Sequence, residues 1–328
     1  MLPPASASQT LITGVYRSGT EFVSGLLGAH PHLSATMYHV NALRFLWNRY
    51  DPLAAPDNLR RAVADTADRL QTRYRFVLDR ETVLALCAQA PAITYGVLYD
   101  ALMRTLWVAG ERRHWSEKCQ LVWREIPQFL EAMPNGRAVL VVRDPRSVLA
   151  SFKRFTYAPA PAYLGAVFNC FDAFQAAMDY SRNLSPERFR LIRYEDAAQD
   201  PQRARHDLLS FIGVDPALSP EVPALDITSP FIEKGTAFDV NAALNRWRDH
   251  LSADETMATE YVCGALMDRL GYTCATDCAG EDALRLFTQG DAFTAQLQDV
   301  LEHGRGMQAF PTDPMAAENW TENKVVKA

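Results

Sequence analysis

Residues 14–20, with the sequence GVYRSGT, have the glycine spacing of a phosphate-binding loop. They follow a short apolar run at residues 10–13 and precede a stretch, residues 18–29, whose apolar side chains fall on one helical face. Backbone N–H groups at the start of that helix would point at an anion, and Arg17 adds a fixed cation. Thr20 stands where a loop for ATP or GTP has its lysine, so hydrolysis of a nucleoside triphosphate is disfavoured.

A second candidate binding segment is residues 141–148, with the sequence VVRDPRSV, followed by Ser151. The uninterrupted apolar run at residues 138–142 is typical of a buried parallel strand, and Pro145 favours a helix start directly after Arg143. The interval from Arg143 to Ser151 is just over two helical turns. One ligand can therefore touch both side chains only if the chain bends back at Pro145.

Together these segments resemble the binding motifs of sulfotransferases that use 3′-phosphoadenosine 5′-phosphosulfate (PAPS). The sequence RSGT at residues 17–20, with Leu-Leu and His-Pro downstream, resembles the family's 5′-phosphosulfate loop. Arg143 and Ser151 resemble its 3′-phosphate motif, and residues 193–196 (RYED) resemble the segment whose tyrosine lies near the adenine. The similarity extends over about residues 10–272 and is closer to the bacterial, tyrosylprotein and carbohydrate-like branch than to the cytosolic small-molecule branch.

The resemblance implies that PAPS is the donor, that 3′-phosphoadenosine 5′-phosphate (PAP) is the product, and that no metal takes part. The residues that it places at the donor are Arg17, Ser18, Gly19, Thr20, Glu21, Phe22, Arg143, Ser151, Tyr194, Lys234 and Gly235. Glu21 departs from the family pattern, because it replaces a hydroxyl residue of the loop. A carboxylate beside a diphosphate is repelled, so Glu21 must turn away, pair with Arg17 or contact the acceptor.

Two cations are implied to act in catalysis, Arg17 and Lys118. Lys118 occupies the place of a lysine that the family keeps on the strand before the 3′-phosphate strand. Sulfonate transfer then needs an aligned acceptor, stabilisation of charge on the leaving phosphate, and a base for the acceptor's proton.

Several residues are candidates for the base. In the small-molecule branch a histidine two residues after the catalytic lysine takes the proton, but Gln120 stands there and an amide is no base. The other branch uses a glutamate after the first helix, at the place of Tyr38 or His39. We prefer His39, because an unperturbed imidazole titrates near neutral pH, and keep His114 and Glu117 as alternatives.

Strands alternate with helices along the chain, which predicts an α/β fold with a parallel, P-loop-type sheet flanked by helices. The predicted strands are residues 10–13, 114–118, 138–142 and 189–193. Residues 41–112 are predicted to form a helical insertion on the acceptor side, and the C-terminal part is predicted to be helical. We expect one sulfotransferase domain over residues 1–305 and a polar tail over residues 306–328.

The bulk composition limits the function further. The 328 residues carry a net charge of −6, which weighs against a nucleic-acid partner. No apolar run approaches the roughly 20 residues of a membrane span, and the N-terminus lacks the features of a signal peptide. We therefore expect a cytoplasmic protein. The resemblance implies that it acts on a hydroxyl of a small molecule, glycan, lipid or peptide. The oligomeric state is open, with a homodimer as one option.

Two other functions fit parts of the pattern. A non-catalytic PAP- or nucleotide-binding protein of the same fold would explain Gln120 and Glu21. A kinase-like P-loop phosphotransferase would need a loop lysine and acidic magnesium ligands, which the sequence does not show.

Overall fold

A parallel sheet of five strands runs through the molecule. The computed structural model describes residues 7–155, 162–222 and 239–276, with isolated positions between 285 and 302. The strands are β1 (Gln9–Gly14), β2 (Leu33–Met37), β3 (His114–Lys118), β4 (Gly136–Val142) and β5 (Phe189–Arg193). Their order across the sheet is β2-β3-β1-β4-β5, and every neighbouring pair is parallel. The carboxyl ends of all five strands therefore lie at one edge.

Apolar side chains cover both faces of the central strands. Leu11 and Leu140 pack into a large core on one face, whereas Ile12 and Val139 pack into a second core on the other. This alternation follows from the two-residue period of a strand, and it explains why β4 is almost continuously apolar. All six residues of β1 are buried as well, although Gln9, Thr10 and Thr13 are polar.

Helices flank the sheet on both sides and also form the insertion. They are α1 (Thr20–Gly25), α2 (Ala42–Phe45), α3 (Pro56–Tyr74), α4 (Arg80–Ala88), α5 (Tyr95–Trp107), α6 (Ile126–Ala132), α7 (Pro145–Phe155), α8 (Gly165–Asn183), α9 (Tyr194–Gln199), α10 (Pro201–Ile212), α11 (Val240–Asn245), α12 (Trp247–His250) and α13 (Ala253–Arg269). The start of α13 is specified locally, because Ser252 and Glu255 form a reciprocal capping box. No helix in the described ranges is long and apolar enough to cross a membrane.

The α/β prediction is confirmed, including the helices of the insertion and, as far as α13, those of the C-terminal part. The strand β2 was not predicted. Its sequence, LSATM, holds no long apolar run. Ala35 at its centre is exposed, because β2 is an outermost strand of the sheet. The predicted tail at residues 306–328 lies outside the described residues, and the extent of the single domain stays a prediction.

Candidate functional site

Most of the predicted site residues meet at the carboxyl edge of the sheet. The loop at residues 14–20 follows β1, Lys118 ends β3, and Arg143 and Tyr194 directly follow β4 and β5. The segment 38–39 follows β2 at the same edge. In open α/β sheets ligands bind at this edge, so the topology alone brings these scattered segments together.

The two glycines of the loop leave no room for a side chain. Gly19 has a φ of 92°, and a Cβ atom there would lie 2.2 Å from Cδ2 of Tyr194. A Cβ atom on Gly14 would lie 2.5 Å from the carbonyl oxygen of Val141. The hydroxyl of Ser18 is buried and has no hydrogen-bond partner in the described part of the chain. The loop therefore packs closely on β4 and Tyr194, and the Ser18 hydroxyl stays available to a ligand.

The two binding motifs are in direct contact. Nε of Arg17 donates a hydrogen bond to Oγ of Ser151 on α7, at 3.0 Å. Nη1 of Arg143 donates to the carbonyl oxygen of Arg17 at 3.1 Å, and its guanidinium lies 4.4 Å from the centre of the Tyr194 ring. The helix that begins at Pro145 thus returns Ser151 to the loop, as the spacing of the motif requires.

Positive charge is concentrated around these contacts. Burial lowers the pKa of Arg17, and Arg143 lowers it further, whereas Glu21 raises it. Burial also lowers the pKa of Arg246, again with a contribution from Arg143. Nε of Arg143 is buried without a hydrogen-bond partner in the described residues. Crowded, partly buried cations of this kind favour a bound anion, and the residues present fit a ligand with two phosphate groups.

Lys118 is held by a carboxylate and an aromatic ring. Its side chain is fully buried, and Nζ lies 3.4 Å from Oε1 of Glu21 and 4.7 Å from the centre of the Tyr38 ring. Burial lowers the pKa of Lys118, and Glu21 counteracts that effect. The arrangements expected for Glu21 did not include Lys118, yet the structure shows an ion pair between these two residues. Glu21 also has an electrostatic interaction with Arg17.

His39 lies in a cage of aromatic side chains. Four rings have their centroids 4.8 to 5.7 Å from that of the imidazole: Tyr38, Tyr74, Phe76 and Trp107. Burial, with smaller contributions from Arg69 and Lys118, lowers the pKa of His39 to about 4. The imidazole is therefore neutral at pH 7, but it is a weaker base than the unperturbed imidazole on which the sequence-based preference for His39 rested.

Glu117 accepts hydrogen bonds from backbone N–H groups. Its carboxylate is fully buried and accepts hydrogen bonds from the N–H groups of Val40 (2.8 Å) and Asn41 (3.0 Å), and from the hydroxyl of Tyr99. Buried Arg69 donates to two carbonyl groups of the same loop. Glu117 thus positions the segment that carries His39, and its oxygen atoms face donors of the protein.

The remaining predicted residues fall elsewhere. His114 begins β3 and therefore lies at the amino ends of the strands, opposite the site. Its Nδ1 lies 2.8 Å from Oγ of Ser8. Gln120 follows Lys118 and is partly exposed. Lys234 and Gly235 lie outside the described residues.

Two residues of the site were missing from the sequence prediction. Glu195 accepts a hydrogen bond from the N–H group of Asp144 at 2.9 Å and one from the hydroxyl of Tyr272 at 2.8 Å, so it holds the turn after Arg143. Arg246 is the additional cation near Arg143. Glu195 lies in the RYED segment at residues 193–196. For both residues, only the neighbours in space indicate the role.

Comparison with known proteins agrees with this geometry. The model of the Sulfotransferase family matches residues 10–217. Carbohydrate sulfotransferase 1 of Rattus norvegicus is 27% identical over 165 residues, which are 43% of this chain and 40% of that protein. The human protein of the same name is 27% identical over 174 residues, 46% of this chain and 41% of that protein. The chain thus spans about two fifths of the length of these curated relatives.

A solved structure shows the same fold. The sulfotransferase domain from the Synechococcus PCC 7002 olefin synthase superposes with a TM-score of 0.50. It is 20% identical in sequence, and the match covers 83% of this chain and 98% of that domain.

The close packing of Gly19 makes a direct prediction. We expect Gly19→Ala to cost about 1–3 kcal/mol of stability and to weaken PAP binding, because the methyl group overlaps Tyr194. Thermal unfolding and calorimetric titration with PAP measure both effects. Gly110→Ala is the control, since Gly110 has a positive φ of 63° but no atom within 4 Å of the added carbon. Wild-type affinity in the Gly19 variant would refute the proposed packing constraint.

The Glu21–Lys118 pair makes a second prediction. We expect Glu21→Gln to bind PAP roughly threefold or more tightly, because the carboxylate repels phosphate groups and occupies Lys118. Calorimetric titration at low and high salt measures the gain, which salt should reduce. Glu131→Gln, an exposed position on α6, is the matched control. A loss of affinity in the Glu21 variant would show instead that the carboxylate helps to place Lys118 for the donor.

Proposed function

Since the chain belongs to the sulfotransferase family, we propose that it transfers a sulfonate group from PAPS to a hydroxyl or phenol of an acceptor. The observation that carries this proposal is the hydrogen bond between Arg17 and Ser151, which joins the loop motif to the 3′-phosphate motif in one cationic site. A ligand with phosphates at both ends of a nucleoside matches that arrangement better than a nucleoside triphosphate does, because Thr20 replaces the lysine that contacts a triphosphate.

The donor site is assigned from the contacts around the loop. Ser18, Gly19 and Thr20 would offer backbone and hydroxyl donors to one phosphate, while Ser151 and Arg143 would hold the other. Tyr194 and Phe22, whose rings meet edge to face with centroids 5.6 Å apart, supply an aromatic wall for the adenine. When bound, PAPS supplies a sulfonate that is already activated for transfer.

The chemical step is assigned to two cations and one base. Lys118 and Arg17 stabilise negative charge on the leaving phosphate, and their burial strengthens that interaction. His39 accepts the proton of the acceptor hydroxyl, since it is neutral at pH 7 and follows β2 at the same edge of the sheet as Lys118. Glu117 acts as a positioning residue for the His39 segment.

Several classes of acceptor are compatible with this one donor. The name of the curated relatives supports a glycan as one option, and a small molecule, lipid or peptide hydroxyl stays open. A cytoplasmic location and a homodimer stay predictions from the sequence.

The first test separates this function from its alternatives. We expect PAP to raise the melting temperature more than ATP or ADP does, and we expect radiolabelled sulfonate to pass from PAPS to an acceptor in a library. Lys118→Met should lower transfer by about a hundredfold or more while PAP still binds. Binding of PAP without transfer to any acceptor would favour a non-catalytic nucleotide-binding protein, and preferential stabilisation by ATP would favour a phosphotransferase.

The pKa of His39 sets the expected pH dependence. A base must be neutral to accept a proton, so activity should hold as the pH falls through 6.5 and should drop only near pH 4. His39→Ala and His39→Gln should abolish turnover and leave the affinity for PAP unchanged. His206→Ala, an exposed histidine on α10, is the control. Full activity in either His39 variant would remove this residue from the mechanism.

A further inference from the structure

The ammonium group of Lys118 lies over the face of an aromatic ring. Its Nζ is 4.7 Å from the centre of the Tyr38 ring and 3.4 Å from Oε1 of Glu21. Charge-assisted hydrogen bonds to a carboxylate are commonly about 2.7–2.9 Å long, so the contact with Glu21 is a long one. An ammonium group has three N–H donors, and within the described residues this is the one hydrogen bond that the Lys118 side chain makes. The ring is therefore a main neighbour of a fully buried charge.

The Tyr38 side chain is itself uncharged at pH 7. Burial raises the pKa of its hydroxyl, and Tyr74 and Glu21 raise it further, whereas Arg73 lowers it. The attraction between Lys118 and Tyr38 is therefore that of a cation for the electron-rich face of a neutral ring. This attraction becomes stronger when the cation is removed from water, as Lys118 is.

The backbone of Tyr38 is fixed relative to Lys118. Its N–H group donates a hydrogen bond to the carbonyl oxygen of Lys118 at 2.8 Å, and the preceding residue, Met37, is paired with Lys118 between β2 and β3. Tyr38 has a φ of 32°, in the left-handed region that residues other than glycine seldom adopt. Such a conformation persists where the surroundings impose it. The end of β2 thus places the ring beside the lysine through main-chain geometry.

Core packing does not account for the position of this ring. The Tyr38 side chain is 37% exposed, unlike the aromatic residues that fill the core. Its centroid lies 5.7 Å from that of His39 and 6.3 Å from that of Tyr74, and the rings are tilted by 36° and 51°. Tyr38 therefore contacts both groups that the proposed mechanism assigns to the chemical step, the cation Lys118 and the base His39.

We propose that Tyr38 is a positioning residue for Lys118, and that the face of its ring holds the ammonium group where it stabilises the leaving phosphate. This inference rests on the proposed sulfonate transfer, in which Lys118 acts on the donor. A carboxylate such as Glu21 also attracts the ammonium group, but it repels phosphate groups. A neutral ring stabilises the cation without that repulsion, and its attraction acts on the whole charge, so that N–H donors can turn to the phosphate.

The test changes the electron density of the ring and nearly preserves its size. Phenylalanine and its mono-, di- and trifluoro derivatives are introduced at position 38 of the full chain by amber suppression, and transfer is measured with labelled PAPS. Each fluorine withdraws electron density from the ring face. We expect Tyr38→Phe to keep most of the activity and kcat to fall with each fluorine, by about tenfold over the series. The affinity for PAP and the KM of the acceptor should not change.

A second readout does not require turnover. The pKa of Lys118 is followed by NMR in chain labelled with ¹³C at Cε of lysine, and the Lys118→Met variant identifies its signal. Because the ring stabilises the charged form, this pKa should fall step by step as fluorine is added. The other titratable groups that act on the ammonium, those of Glu21, Cys119 and Arg17, stay the same throughout the series.

Tyr163 supplies the matched control. Nζ of Lys153 lies 5.5 Å from the centre of the Tyr163 ring, and neither residue has a part in the proposed mechanism. The same fluorinated series at position 163, compared with its own Tyr163→Phe variant, should leave kcat and the pKa of Lys118 unchanged. Melting temperatures show whether each variant is folded.

A double-mutant cycle separates an effect through Lys118 from a direct one. Tyr38→Leu removes the ring face and should lower kcat by about tenfold. In the Lys118→Met background the same substitution should cause no further loss, because the interaction partner is already absent.

The outcomes distinguish this inference from the proposed function. A kcat and a Lys118 pKa that stay constant across the series at position 38 would overturn the inference. So would a Tyr38→Phe variant as impaired as Tyr38→Leu, which would assign the effect to the hydroxyl, or a raised acceptor KM at constant kcat, which would make Tyr38 an acceptor contact. If the pKa of Lys118 falls along the series but no acceptor receives sulfonate from PAPS, the contact between ring and ammonium stands and the proposed function fails.

Discussion

Parallel pairing around β1 is the constraint on which the rest of the structure depends. Ile12 pairs with Lys118 on one side of β1, and Gly14 pairs with Val141 on the other. Because the three strands run in the same direction, their ends place the phosphate loop, a buried lysine and Arg143 at one edge. A shift of one residue in either register would turn alternate side chains to the opposite face and separate these groups.

The site is organised by the burial of charge. Lys118 is fully buried, and the carboxylate oxygen that it faces, Oε1 of Glu21, lies in the first turn of α1, directly after the loop. Removing two charges from water is costly, so such a pair is tolerated only where attraction and hydrogen bonds offset the loss of hydration. The same low polarity that lowers the pKa of Arg17 and Lys118 strengthens their attraction for an anionic ligand.

The segment after β2 depends on a different buried network. Glu117 and Arg69 bind opposite polar groups of the segment after β2, the carboxylate taking N–H donors and the guanidinium taking carbonyl groups. This leaves His39 and Tyr38 fixed between Lys118 and the aromatic side chains of the insertion. The insertion therefore shapes the site through ring contacts, while the sheet supplies its cations.

The sequence by itself determined the fold class, the positions of the loop and of the segment after β4, and the helical insertion, because these depend on local glycine spacing and apolar periodicity. It did not show β2, whose edge position leaves it without a continuous apolar run. From the sequence alone, His39, His114 and Glu117 were alternative candidates for the base. Only the tertiary structure separated them, since His114 lies at the amino end of β3, Glu117 is bound to backbone N–H groups, and His39 lies within the aromatic cage. The pairing of Glu21 with Lys118 was likewise decided in three dimensions, because it joins residues 97 positions apart that meet only when β3 lies beside β1.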